Sequence, residues 1–262
     1  MSTSNDHVYP SLYRRLFGVW YRHMRVYTQN IFSNGLPPFL EPLLFLAGVG
    51  LGLSHYVTES MDGLSYIEFL GTGLLVTASM FTAVFECTFG TFIRLEFERV
   101  YDGMLAAPMT VNNLIVGEIL WAGTKGLFFS FAVMCILALF GVVTLSTCWP
   151  APLVGFLTGT MFGCLSLVIT SFVKTINHFN FYITGVISPM FFFCGVVFPL
   201  GDFPILHNIA QLLPLTHSVQ IVRALCTRRY TFDLIWHLTY IAVFIAVVGW
   251  LAVKRFRRRL IQ

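Results

Sequence analysis

Long apolar stretches that no soluble core could absorb dominate this sequence, and they leave few folds open. The segments 35–53, 66–89, 111–144, 153–173, 178–197 and 234–253 carry at most two charges each. About 20 consecutive apolar residues cross the hydrocarbon of a bilayer. The stretch 111–144 exceeds that length, so its first turns are expected to project into water. Charged residues make up 11% of the chain, against about 25% in a soluble domain. Mean hydropathy is +0.77. These features predict an all-α integral membrane protein with six transmembrane helices in one domain spanning 1–262.

The most informative break in this pattern is Arg94–Met109, RLEFERVYDGMLAAPM, which concentrates Arg94, Glu96, Glu98, Arg99 and Asp102 between two apolar segments. Flanked by spans, it must lie at a membrane face. The sequence 94–109 reads as one short helix mixing charged and apolar side chains, loosened at Gly103 and stopped at Pro108. Such a helix either anchors a protein or offers a handle to a partner.

Before the first span, residues 1–10 read as a loose polar tail with no early apolar core, hence no cleavable signal peptide. Residues 11–29 have helical periodicity, with Leu12, Leu16, Trp20, Met24 and Tyr27 on one side and Arg14, Arg15, Arg22 and Arg25 nearly opposite. An apolar face set against a basic one suits a helix lying in the interface of an anionic leaflet, or one packed on a partner. Pro37, Pro38 and Pro42 fall in the opening turns of the first span, and Gly48 and Gly52 form a small-xxx-small pair suited to close helix approach. Residues 198–230 are too broken by Pro199, Pro204 and Pro214 for one more span and too apolar for a solvated loop. A pair of short re-entrant helices fits both facts, with a hidden seventh span as the alternative.

Charge placement sets the expected topology. Arg14, Arg15, Arg22, Arg25, Arg94, Arg99, Lys174 and the tail Lys254, Arg255, Arg257, Arg258 and Arg259 would share one side; they are twelve of the sixteen basic residues. The positive-inside pattern therefore puts both termini in the cytoplasm. Arg223, Arg228 and Arg229 stand against it, although the rule is weaker in long loops.

No GxxxxGK[ST], HExxH or GxSxG motif is present, so neither ATP hydrolysis nor familiar hydrolytic chemistry is expected from this chain. Energy for transport would come from a partner or an ion gradient. Ionisable residues inside apolar spans are costly and mark function or packing. Glu86, Glu118 and Lys125 are of this kind, and a Glu86–Lys125 or Glu118–Lys125 pair would fix how spans two and three pack. Span five is dense in rings, among them Phe179, Phe181, Tyr182, Phe191 and Phe192, which could line a substrate path or simply pack. The six cysteines read as free thiols rather than a disulfide framework or metal site; only Cys148 and Cys226 could fall on the same outer side, where a bridge between them is the alternative.

Several segments together resemble the ABC-2 type permeases: the basic N-terminal helix, LPPFLEPLLFLAGVGLGL, FERVYDGMLAAPM, VGEILWAGTKG and SPMFFFCGVVFPLGDFPILHNIAQLLPLTHSVQIVRAL. The likeness covers about Leu12 to Leu260 and is nearest to the NodJ-type branch, membrane subunits of nodulation-factor exporters. It implies a half-transporter in the bacterial inner membrane that pairs with a second copy through spans one and five. Two copies of a separate ATPase subunit would bind ATP and magnesium, this chain holding no cofactor itself. In this reading Glu96–Ala107 is the coupling helix, with Glu96, Phe97, Glu98, Arg99, Tyr101, Asp102, Met104 and Leu105 its contacts. Leu12–Tyr27 would be the connecting helix beside it, and Gly201–Leu213 would lie in outer re-entrant helices. The implied cargo is an amphipathic lipid or glycan; membrane lipids are expected neighbours and nucleic acid is not. A gradient-driven carrier or a membrane-embedded lipid-modifying enzyme is the rival reading.

Overall fold

The computed structural model describes residues 10–52, 61, 63–201, 203–228 and 232–260. The polar tail, the end of the first span, the loop with Glu59 and Asp62, and Arg229 therefore lie outside the described residues. Within them the chain is helical, with no β-strand. Helix α1 is Leu12–Gln29, followed by the short α2, Ile31–Gly35, and α3, Pro37–Phe45. Helix α4 runs Tyr66–Phe97, α5 Val100–Leu105, α6 Val111–Leu139, α7 Leu145–Cys148 and α8 Ala151–Phe172. Then come α9, Phe179–Tyr182, α10, Ser188–Phe193, α11, Pro204–Ala210, α12, Pro214–Thr227, and α13, Asp233–Leu260.

Four of these, α4, α6, α8 and α13, are long and apolar enough to cross a membrane. The expected first and fifth spans are instead interrupted helices. Helix α3 gives way to wide turns over Leu46–Leu51, and α9 joins α10 through another wide turn, Ile183–Ile187. Proline and glycine explain the interruptions: Pro42 removes an amide donor from α3, and Gly48, Gly50 and Gly52 loosen the turns after it. The third segment ends at Leu139 rather than 144, where Gly141, at φ +68°, turns the chain. Residues 198–230 contain two short helices, α11 and α12, each opened by a proline.

Small residues decide the packing. Helices α6 and α8 meet along Ala122, Gly123 and Gly126 on one and Gly155, Gly159 and Gly163 on the other. A Cβ at Gly126 would come within 2.5 Å of the Gly155 carbonyl oxygen, and one at Gly159 within 2.7 Å of that of Ala122. Lipid provides no hydrophobic drive for helix association, so close backbone contact and shared hydrogen bonds must hold the bundle. Ser79 donates to the Gly126 carbonyl at 2.7 Å, Thr170 to that of Cys87 at 2.7 Å, and Thr158 to Ser218 at 2.9 Å. The Gly48–Gly52 pair plays no such part within the chain, since nothing lies within 4 Å of either added Cβ.

Helix α12 packs against α4, α8 and α13 and is buried along most of its length. Its Arg223, read from the sequence as an outer charge, is 9% exposed and donates to the carbonyls of Phe69 and Gly195, both at 3.1 Å. Its guanidinium also sits 3.7 Å from the centre of the Phe69 ring. The conflict with the charge-based topology is smaller than the sequence suggested, because this arginine is spent on backbone.

Candidate functional site

At one end of the bundle, α1, α4, α5 and α6 converge on a buried chain of ionised and polar groups. Glu118 of α6, fully buried, accepts from His23 Nε2 on α1 at 2.9 Å and from Arg94 on α4 at 2.9 Å. Arg94 reaches Glu86 with its other terminal nitrogen at 2.7 Å, and Glu86 also accepts from Lys125 Nζ at 2.9 Å. Two carboxylates and two cations thus alternate along the chain, and an acceptor-only Glu118 puts a hydrogen on His23 Nε2. Aromatic rings wall the cluster. Trp121 stacks on His23 with centroids 5.7 Å apart, and Lys125 lies 5.5 Å from the Tyr27 ring and 5.8 Å from that of Phe129. Burial, with Glu86 adding to it, pushes the Tyr27 hydroxyl up to about 12.

The expected Glu86–Lys125 pair is present; Glu118 takes Arg94 and His23 instead of Lys125. The sequence placed Arg94 in water at the membrane face. Helix α4 instead continues past Phe85 in wide turns, Glu86–Gly90 and Ile93–Phe97, which carry Arg94 back beneath Glu86. Composition and spacing give His23 no role. The one available signal was its place on the face of α1 shared with Val19 and Tyr27.

Helix α5 attaches to this cluster through Tyr101. The expected single helix over 94–109 is in fact broken at Arg99, whose φ of +50° is left-handed, so Glu96 and Phe97 end α4 and only Val100–Leu105 form α5. Tyr101, expected as a partner contact, is fully buried against Val19 and Leu114. Its hydroxyl lies beside Arg94 and Glu118 without a bond of normal geometry, and burial followed by the Glu118 charge holds it well above the ordinary phenol value. The outward surface here consists of Phe97, 67% exposed, with Glu96, Glu98, Arg99 and Asp102, while Met104 and Leu105 are half-buried. Arg259 at the end of α13 closes the far side, donating to Glu96 at 2.7 Å and to the Thr170 carbonyl.

Helix α1 is rotated from the expected orientation. Val19 and His23 face the protein, and Trp20 donates to Thr124 at 2.9 Å, whereas Leu12, Tyr13, Phe17, Tyr21 and Met24 stay exposed beside Arg14 and Arg25. Arg15 and Arg22 are half-buried. A Cβ at Gly117 would meet Val19 at 2.5 Å, so a glycine is what lets α1 lie so close on α6.

Lys125 also borders two hollows. One, of about 490 Å³, is apolar and lined by Pro42, Phe45, Phe81, Phe85, Phe129 and Phe191. The other, of about 300 Å³, is polar and lined by Arg22, His23, Glu86, Arg94 and Glu98 among others. Of the rings expected on a substrate path, Phe191 lines the apolar hollow, and Phe181 and Phe192 are exposed. Phe179 and Tyr182 belong to the core: Phe179 packs edge-on against Phe89 and Phe92, and the Tyr182 hydroxyl meets Ser166 at 3.2 Å. Among the described residues no group of three His, Cys, Asp or Glu could hold a metal ion.

Residues 14–227 match the family described as ABC-2 type transporter. The chain is 31% identical over 249 residues to Nodulation protein J of Sinorhizobium fredii, covering 93% of each chain. It is equally similar, 31% over 246 residues and 93% of each chain, to Nodulation protein J of Rhizobium leguminosarum bv. trifolii. It is 24% identical over 200 residues to the inner membrane transport permease YadH of Escherichia coli, covering 76% of each.

Proposed function

The chain belongs to the ABC-2 type transporter family, as a permease of the Nodulation protein J branch, and on that premise we propose that it is the membrane half of an ATP-driven exporter. A separate ATPase supplies the energy, two copies of each subunit make the working unit, and the site is the inner membrane with both termini cytoplasmic. Six membrane passes, two of them the interrupted segments α3 and α9–α10, and re-entrant α11 and α12 complete this reading. The cargo is an amphipathic lipid or glycan, for which the apolar hollow and its polar neighbour at Lys125 are a fitting pair of environments.

One observation supports it above the others: the small helix at the proposed motor face is wired to the membrane helices through buried polar contacts. Motion of α5 would be felt by Tyr101, then by Arg94 and Glu118, and so by α1 and α6 together. Interlocked charges with strict geometry shift as a unit rather than deforming, because separating them leaves a charge buried alone. The exposed Phe97, Glu98, Arg99 and Asp102 are the surface that would meet the ATPase.

The test is co-purification of the ATPase from membranes, with ATP hydrolysis assayed in the eluate. A Cβ at Gly103 meets nothing within 4 Å, so Gly103→Pro breaks α5 through its own backbone without pushing on the rest of the protein. That variant, or Glu98→Lys with Arg99→Glu, is expected to lose bound ATPase at an unchanged melting temperature. Full ATPase recovery with both would overturn the docking role.

A further inference from the structure

The outer loop between α6 and α8 and the buried helix α12 each bring one cysteine to the same place. Helix α7 packs directly on α12. Cys148, the last residue of α7, has no exposed surface, and Cys226, in the last turn of α12, is half-buried. The packing of α7 on α12 sets the two thiols, both free here, beside one another, and the Cys226 thiol holds that of Cys148 below its ordinary value. The other four cysteines have no cysteine partner of this kind; Cys87, Cys164 and Cys194 are buried with their thiols held by apolar surroundings.

We propose that Cys148 and Cys226 form a disulfide on the outer side of the membrane, installed by a protein thiol-disulfide oxidant, which clamps the α6–α8 loop to α12. It rests on the topology proposed above, which puts both residues in an oxidising compartment; thiols facing the cytoplasm would stay reduced. One of the two cysteines attacks one sulfur of the oxidant's disulfide as its thiolate and forms a mixed disulfide, and one oxidant thiolate leaves. The other then attacks the chain's sulfur in that mixed disulfide, the internal S–S bond forms, and the second oxidant thiolate leaves. The two protons from the cysteines end on the oxidant's two thiols; the chain is oxidised by two electrons and the oxidant reduced by two.

The consequence is mechanical. Helix α12 holds the outer ends of α4 and α8 through Arg223 and Ser218, and the clamp adds α6 through its loop. The outer end of the bundle is then one body, while α11 stays outside the clamp.

The experiment uses the full chain in cells grown without reductant, quenched in acid, alkylated with N-ethylmaleimide and peptide-mapped by mass spectrometry. The expected result is a linked peptide pair containing Cys148 and Cys226, two hydrogens lighter than the sum of its parts. It should be absent in Cys226→Ser and reduced several-fold in cells lacking the periplasmic oxidant. In parallel, Ser146→Cys, placed at an exposed position in a Cys148→Ser, Cys226→Ser background, is probed in intact cells with a membrane-impermeant maleimide. Labelling from outside with both wild-type cysteines alkylated overturns the disulfide and leaves the topology standing. Labelling only after the membrane is permeabilised overturns the topology, and the disulfide with it.

Discussion

Helices α8 and α13 have nearly the same mean hydropathy, 1.9 and 2.0, yet 72% of one and 6% of the other is buried within the chain. Hydropathy says that both belong in a membrane; residue size says which one belongs inside the bundle. The inner helix is built from Gly155, Thr158, Gly159, Gly163, Ser166 and Thr170, small enough for backbones to touch and polar enough for Thr158, Ser166 and Thr170 to bond to Ser218, Tyr182 and the Cys87 carbonyl. The outer one carries Trp236, Val243, Val247 and Trp250 to its surface and packs its other face, with Ile241, Phe244, Val248 and Ala252, on the core. Near one end His217 meets His237 at 2.7 Å and stacks on Tyr240; at the other end are Phe256 and Arg259. In lipid, packing precision matters where helices meet helices and hardly at all where they meet acyl chains.

That contrast is open to mutation. The largest effect is expected at the interior ion chain: Arg94→Met leaves Glu86 with one cation and Glu118 with only its His23 hydrogen bond, and should cost about 3–5 kcal/mol, read as a large fall in melting temperature in detergent. Next is Gly155→Leu, which drives a side chain into Ser130 and the Gly126 carbonyl and should cost about 1–3 kcal/mol. Arg259→Gln follows at roughly 0.2–1 kcal/mol, because Glu96, its partner, is partly in water. Smallest is Val247→Ala on the outward face of α13, within about 0.5 kcal/mol. If Val247→Ala melts as early as Gly155→Leu, a second protein rather than lipid covers that face, and the comparison between the two helices fails.

The residues that composition and spacing could find were those obeying a regular helix. Glu118 and Lys125 stand two turns apart on α6, and Glu86 met Lys125 as their placement on neighbouring spans suggested. Arg94 was out of reach because the wide turns between Glu86 and Phe97 change the angular register, so counting at 3.6 residues per turn points it elsewhere. His23 was out of reach for a different reason: its partner lies on another helix, and within 11–29 only its sharing a face with Val19 and Tyr27 marks it. The break at Arg99 was hidden too, since an arginine with positive φ has no sequence signature. Six apolar segments were easy to see, while which of them would stay continuous depended on Pro42 and on glycines whose cost a window average does not register.

Arg223 carries a lesson about counting. Its side chain works as a rivet, fastening α12 to the loop at Gly195 and to the top of α4, and a lysine there could offer neither the fork of donors nor the flat face against Phe69. Cations of this kind never reach the aqueous phase, so a tally that orients a polypeptide by its basic loops should leave them out.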